Sequence, residues 1–156
     1  MPRFHALSIG LAGAALSATM LFAGSHAADN PAVKARQAQM QLYAFNLGTL
    51  GAMAQEKVAY DADAAAMAAK NVAAIADLEA APMCPAGTGA DGVAGPRALP
   101  DIWSNFPDVA QKAQAMQAAA DAMVAAASVD LASLQGAMGA LGGACGACHK
   151  AYRVPE

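Results

Sequence analysis

Apolar residues recur every three or four positions through most of this 156-residue chain, which is the spacing of amphipathic α-helices. Alanine dominates, and leucine, methionine, glutamine and lysine lie between the alanines. All five are strong helix formers. No segment alternates apolar and polar residues as a half-buried strand does. The pattern therefore predicts an all-α chain.

The first two predicted helices begin at capping residues. Asn30 followed by Pro31 is an N-cap with proline in the first turn, and this helix is expected to run to about Lys57. Asp61 caps a second helix, which Pro82 ends. The predicted apolar faces comprise Val33, Met40, Leu47, Leu50 and Ala54 in the first helix, and Ala65, Met67, Ala68, Val72, Ile75 and Leu78 in the second.

Two more helices are predicted after a long loop. Residues 82–100 are dense in Pro and Gly, so we expect no regular structure there, and a loop of this length usually packs over something functional. The third helix is predicted from Ser104 or Asn105, with Pro107 in its first turn, and the fourth from about Asp130. Their predicted inward residues are Met116, Ala120, Met123 and Val124, then Leu131, Leu134, Met138 and Leu141. Short first and last connections predict an antiparallel up-down-up-down four-helix bundle.

The first residues have the pattern of a secretory signal peptide. Arg3 precedes an apolar run over residues 7–23, and the small-residue pattern Ser25-His26-Ala27 follows. A membrane anchor is disfavoured because the run is short and rich in Ala and Gly. We expect cleavage after Ala27, leaving one domain over residues 28–156 that is exported and has no membrane span.

Charge and histidine content exclude several function classes. Without the leader the chain holds eight basic and twelve acidic residues, so nucleic acid is not expected as a partner. His149 is the single histidine after residue 27, between Cys148 and Lys150. A Ser-His-Asp triad or a site with several histidines is therefore not supported, and we expect a protein that is not an enzyme.

The stretch "CGACHKAYR" near the C terminus carries the candidate chemistry. On a helix, Cys145, Cys148 and His149 share one face, at about 100° per residue. The two thiols could form a redox disulfide, but such motifs accompany βαβ folds. Zinc binding would need Cys84 from a distant loop. Cys-x-x-Cys-His is the attachment signature of c-type haem, which a leader to the exported compartment favours.

Several stretches together resemble one family. These are "ARQAQMQLYAFNLGTLGAM", "NVAAIA", "PAGTG", "PDIWS" and "LGGACGACHKAYR", and they resemble cytochrome c′, the class II c-type cytochromes of bacterial periplasms. The resemblance extends through essentially all of residues 28–156. It implies an antiparallel four-helix bundle, usually a homodimer, with one covalent haem c and iron commonly bound by the histidine alone.

The resemblance also implies roles for individual residues. Cys145 and Cys148 would form the thioethers, and His149 would be the proximal iron ligand. Further positions match the family's haem surroundings: Arg36 and Gln37 at a propionate, Thr88 and Asp91 at the haem edge, and Arg153 near the proximal pocket.

Met40 matches the position that the family places over the open side of the iron. If its side chain only packs there, the iron is high-spin and five-coordinate and binds small gases such as nitric oxide or carbon monoxide, which is the first hypothesis. If its sulfur coordinates, the protein is a low-spin electron carrier with Met40 as sixth ligand and a redox partner protein still to be identified.

Two further expectations concern a thiol and a surface. Cys84 stands where many relatives of this family have an aromatic residue, and we expect it to be buried and inert. The homodimer contact is expected on the first helix beside Tyr43 and Leu50.

Overall fold

The computed structural model describes residues 30–155, so the expected signal peptide lies outside the described residues. Within this range the chain forms helices and no strand. The elements are α1 (Pro31–Ala54), α2 (Ala62–Ala76), a 3-10 helix (Ala81–Met83), α3 (Asp101–Ser104), α4 (Phe106–Ala126) and α5 (Leu131–Tyr152). The all-α prediction is confirmed.

The four long helices form the predicted antiparallel bundle. α1 packs on α2 and α5, and α4 packs on the same two helices, so the pairs α1 with α4 and α2 with α5 lie across the diagonals. The long connection joins α2 to α4, as predicted. None of the helices in residues 30–155 is long and apolar enough to cross a membrane.

Three of the four predicted helix starts are set by side-chain caps. The Asn30 carboxamide oxygen accepts hydrogen bonds from the N–H groups of Ala32 and Val33 at 3.0 and 3.2 Å. Asp61 accepts two N–H bonds at the start of α2, each 3.0 Å long. Asp130 accepts one from Ser133 at 2.7 Å. These bonds satisfy N–H groups that have no partner within the helix, and they explain why the starts were predictable.

The helix ends and the loop differ from the prediction. α1 stops at Ala54, and Glu56 then adopts a left-handed backbone with φ 56°, which ends the helix before Lys57. α2 stops at Ala76, six residues before Pro82, and that proline lies in the 3-10 helix. The loop is also more ordered than expected, because Ala98 forms an isolated antiparallel bridge with Arg153.

The core confirms most of the predicted apolar positions. Fully or nearly fully buried residues from all four long helices meet there: Leu50, Met53, Ala65, Ala68, Ala69, Val72, Ala120, Met123, Ala127, Leu134 and Leu141. Three predicted positions are wrong, because Met40, Met67 and Leu78 are 46%, 62% and 51% exposed. Met67 lies about 200° around α2 from Ala65, and Leu78 follows the end of that helix.

Truncating a core methionine tests this packing. Met123 is fully buried on α4, so Met123→Ala removes apolar contacts and leaves a cavity, and we expect the free energy of unfolding to fall by about 2–5 kcal/mol. The matched control is Met67→Ala, which changes the same residue type at an exposed position and should shift stability by about 0.5 kcal/mol or less. Chemical denaturation measures both, and equal losses would contradict the described core.

Candidate functional site

The last two turns of α5 bring the three motif residues to one side of the bundle. Cys145, Cys148 and His149 are all partly buried, and both thiols are free. The sulfur of Cys145 lies 3.7 Å from the sulfur of Met116 on α4, so this thiol points between the two helices. No cluster of three or more His, Cys, Asp and Glu side chains in residues 30–155 could hold a metal ion, which argues against the zinc alternative.

The surroundings of the motif keep both thiols protonated and the imidazole in the form that binds metals. Burial raises the pKa of both motif thiols, although the nearby ammonium of Lys112 opposes this for Cys148. The pKa of His149 is lowered first by burial and then by the positive charges of Arg153 and Arg97. The imidazole is therefore neutral at pH 7, the form that binds metals.

Arg153 lies directly beside the imidazole. One terminal nitrogen of its guanidinium is 3.4 Å from Nδ1 of His149, one helical turn earlier. The predicted proximity of these two residues is thus present. Together with Arg97, Lys150, Val154 and Pro155 they line an open cleft of about 390 Å³.

Arg36 on α1 binds the first half of the long loop. Its guanidinium donates to both the hydroxyl and the carbonyl oxygen of Thr88, at 2.9 and 2.7 Å, and to the carbonyl of Met83. It also lies 5.9 Å from the centre of the Trp103 ring, within cation-π range. The structure therefore brings together the predicted pair Arg36 and Thr88, whereas Gln37 is exposed.

A close approach at Gly89 shapes the loop around Asp91. A Cβ atom at Gly89 would lie 2.8 Å from a carboxylate oxygen of Asp91 and 2.8 Å from the Trp103 ring, so only glycine fits. The indole N–H of Trp103 donates to the carbonyl of Cys84 at 3.0 Å. Cys84 is itself only partly buried, which corrects the expectation that this thiol is buried.

Met40 lies on the face of α1 that also carries Arg36 and Tyr43. Met40 is 46% exposed and does not belong to the core. Its neighbour Tyr43, in contrast, packs against the core. Burial, and next the proximity of Cys145, raise the pKa of Tyr43 to about 12. This face of α1 therefore lies opposite the motif on α5, and the side chain of Met40 has no packing role in the core.

The second half of the loop binds the end of α5. The N–H of Leu99 donates to the carbonyl of Tyr152 at 2.9 Å, and the N–H of Val154 donates to the carbonyl of Arg97 at 2.8 Å. The loop thus contacts Arg36 with one half and the residues after His149 with the other.

Some residues around the motif were missed by sequence reasoning. Met116 was predicted as a core residue and not as a neighbour of Cys145, and Trp103 was used only as a family mark. Asp108 and Asn105, which bind Tyr152, carry no spacing signal, because they come from the start of a different helix.

The donor set fits a haem attached through two thioethers. Two free, uncharged thiols and one neutral imidazole share one face of α5. The half-exposed thioether of Met40 lies on α1, which packs against α5. The three predicted attachment residues are therefore together, while their roles stay predictions.

Comparison with known proteins agrees with this chemistry. A family model described as Cytochrome C' matches residues 31–153. A cytochrome c-554 from Cereibacter sphaeroides is 46% identical over 121 residues, which cover 78% of this chain and 91% of the relative. A solved cytochrome c′ from Rhodobacter has a TM-score of 0.78 at 33% identity, covering 80% of this chain and 96% of that one. Another solved cytochrome c′, described as having a ligand-controlled dimer dissociation, has a TM-score of 0.72 at 28% identity, covering 80% and 95%.

Removing the Arg36 guanidinium tests its hold on the loop. Arg36→Ala deletes three hydrogen bonds from a charged donor, so we expect faster amide hydrogen exchange across residues 83–92 and a stability loss of about 2 kcal/mol. Lys34→Ala, an exposed cation on the same helix, is the control and should leave exchange in the loop unchanged. Unaltered exchange in Arg36→Ala would contradict the described contacts.

Proposed function

Because the chain belongs to the cytochrome c′ family, whose members carry a covalently attached haem c, we propose that it is a periplasmic electron carrier in which His149 and Met40 are the two axial iron ligands. When bound, the haem iron takes up and releases a single electron. The chain's own residues determine how that group is held, what reaches the iron and what surrounds it.

Attachment is assigned to the end of α5. Cys145 and Cys148 would form the thioethers and His149 would bind the iron, which is supported by their shared helix face, their free thiols and the neutral imidazole. Arg153 and Arg97 support this role because their charges oppose protonation of the ring, and a protonated ring cannot bind iron.

The proposal that Met40 is the second axial ligand rests on the exposure and position of its side chain. Its thioether is half-exposed on the face of α1 that lies opposite Cys145, and no core contact occupies it. A methionine sulfur is a ligand that raises haem potentials in c-type cytochromes.

The other predicted haem contacts are supported to different degrees. Arg36 uses three of its five N–H groups on the loop, so its guanidinium could still donate to a propionate, and Thr88 and Asp91 lie in the loop segment that it holds. Gln37 is supported only by its match to the family pattern.

A second candidate function is gas binding at an open iron. It is favoured by family membership and by the ligand-controlled behaviour described for one solved relative. In this version Met40 packs over the iron without binding it, and nitric oxide or carbon monoxide displaces its side chain. Neither candidate needs a catalytic acid or base, so both describe a protein that is not an enzyme.

We propose that the protein is a homodimer through the α1–α2 surface. Leu42, Phe45 and Leu78 are 52%, 74% and 51% exposed and line an apolar groove with Ile75. Dimerisation of a solved relative supports a second copy as the occupant. Leu50 is fully buried and Tyr43 packs on the core, so the proposed contact uses exposed residues beside them on α1 and not these two side chains.

Carbon monoxide distinguishes the two functions. In protein matured with haem and confirmed by intact mass, we expect a sharp ferrous α-band that carbon monoxide does not change, because Met40 occupies the sixth position. Met40→Ala should bind carbon monoxide and have a lower reduction potential. The control is Met67→Ala, an exposed methionine on α2. A wild-type protein that binds carbon monoxide as readily as Met40→Ala would reject the electron-carrier proposal and support gas binding.

A charge in the apolar groove tests the dimer. Phe45→Glu places a carboxylate in the proposed contact, where burial would be costly, and we expect the molar mass measured by light scattering to halve. Phe106→Glu, at a phenylalanine on α4 that is 63% exposed, should leave the mass unchanged. A Phe45→Glu protein that stays dimeric would place the contact elsewhere.

A further inference from the structure

The end of α5 is held by a polar cluster formed by Tyr152, Asp108 and Asn105, here called the Tyr152 clasp. The phenol of Tyr152 donates to a carboxylate oxygen of Asp108 at 2.6 Å and accepts from the carboxamide of Asn105 at 3.0 Å. The same carboxylate oxygen lies 3.4 Å from the ammonium of Lys112. The Tyr152 residue is only 5% exposed.

The position of Tyr152 links this cluster to the motif. It is the last residue of α5, three residues after His149 and four after Cys148, so it lies about one turn beyond both. Its side chain is bound by residues that open α4, and its carbonyl accepts the Leu99 N–H from the loop at 2.9 Å. The turn that follows His149 is therefore bonded to two separate parts of the chain.

Few large side chains fix this part of α5 by packing. Between Leu141 and Tyr152 the helix has no large aliphatic residue, and Gly142, Gly143 and Gly146 face solvent. Small side chains leave the rotation of a helix about its axis weakly determined, because few contacts change when it turns. Directional hydrogen bonds to a buried phenol supply the missing constraint.

We propose that Tyr152 is a positioning residue for His149, and that the Tyr152 clasp fixes the rotation of the last turn of α5 and with it the plane of the imidazole on the iron. A phenylalanine would fill the same volume, so a purely packing role does not require the phenol oxygen or its two partners. The inference rests on the proposed role of His149 as iron ligand.

The test uses electron paramagnetic resonance of the ferric holoprotein, because its g values depend on the orientation of the axial imidazole. We expect Tyr152→Phe to keep covalent haem, as measured by intact mass, but to show shifted g values and broader lines. Asp108→Ala, which removes the acceptor and keeps Tyr152, should give the same change. The matched control is Tyr60→Phe, which deletes a 2.9 Å hydrogen bond to the Ala127 carbonyl at the other end of α4.

The outcomes separate this inference from the proposed function. A spectrum that His149→Ala leaves unchanged would reject the ligand assignment itself. If His149 is the ligand but Tyr152→Phe and Asp108→Ala both match Tyr60→Phe in g values and line width, the clasp has no positioning role. Should Tyr152→Phe fail to fold, Asp108→Ala decides alone, because the Asp108 side chain is only partly buried and lies outside the core.

Discussion

The proposed function rests on a single geometric constraint: two thiols and one imidazole must face the same flat group from one helix. Helix periodicity satisfies it at positions 145, 148 and 149, but only if α5 keeps its rotation and its distance from α1 and α4. The side chains of α5 contribute little to fixing its rotation and spacing, since glycine and alanine surround the motif. The constraint is therefore met by neighbouring elements, namely the side chains that open α4 and the loop that crosses the end of α5.

The long loop gains its order from the same elements that surround the candidate haem site. Arg36, one turn before Met40, binds its first half, and the bridge between Ala98 and Arg153 binds its second half, four residues after His149. Because both attachments are to helices that carry candidate ligands, the loop connects the two sides on which the iron would be bound. Ordering a proline- and glycine-rich connection costs conformational entropy, and these contacts supply the interactions that offset it.

Much of the fold was predictable, because its signals are local. The caps at Asn30, Asp61 and Asp130 each act within three residues, and Cys-x-x-Cys-His is a contiguous motif. Positions such as Met67 were mispredicted because an alanine-rich helix has apolar residues on every side, so periodicity does not say which face is buried. The Tyr152 contacts and the hold of Arg36 on Thr88 join residues more than forty positions apart, and no local pattern encodes them.

The charge distribution at the end of α5 suits the proposed role of His149 as iron ligand. The chain is acidic overall, yet Arg97, Lys150 and Arg153 line one cleft with His149. A helix C terminus carries partial negative charge, which by itself would favour a protonated imidazole. The two arginines reverse that tendency and lower the pKa of His149 further than burial does alone. Positive charges near a haem iron also favour its ferrous state, because the ferric state carries one more positive charge and is repelled more strongly. With His149 as the proposed iron ligand, this arrangement would therefore also raise the reduction potential, in the same direction as the proposed methionine ligand.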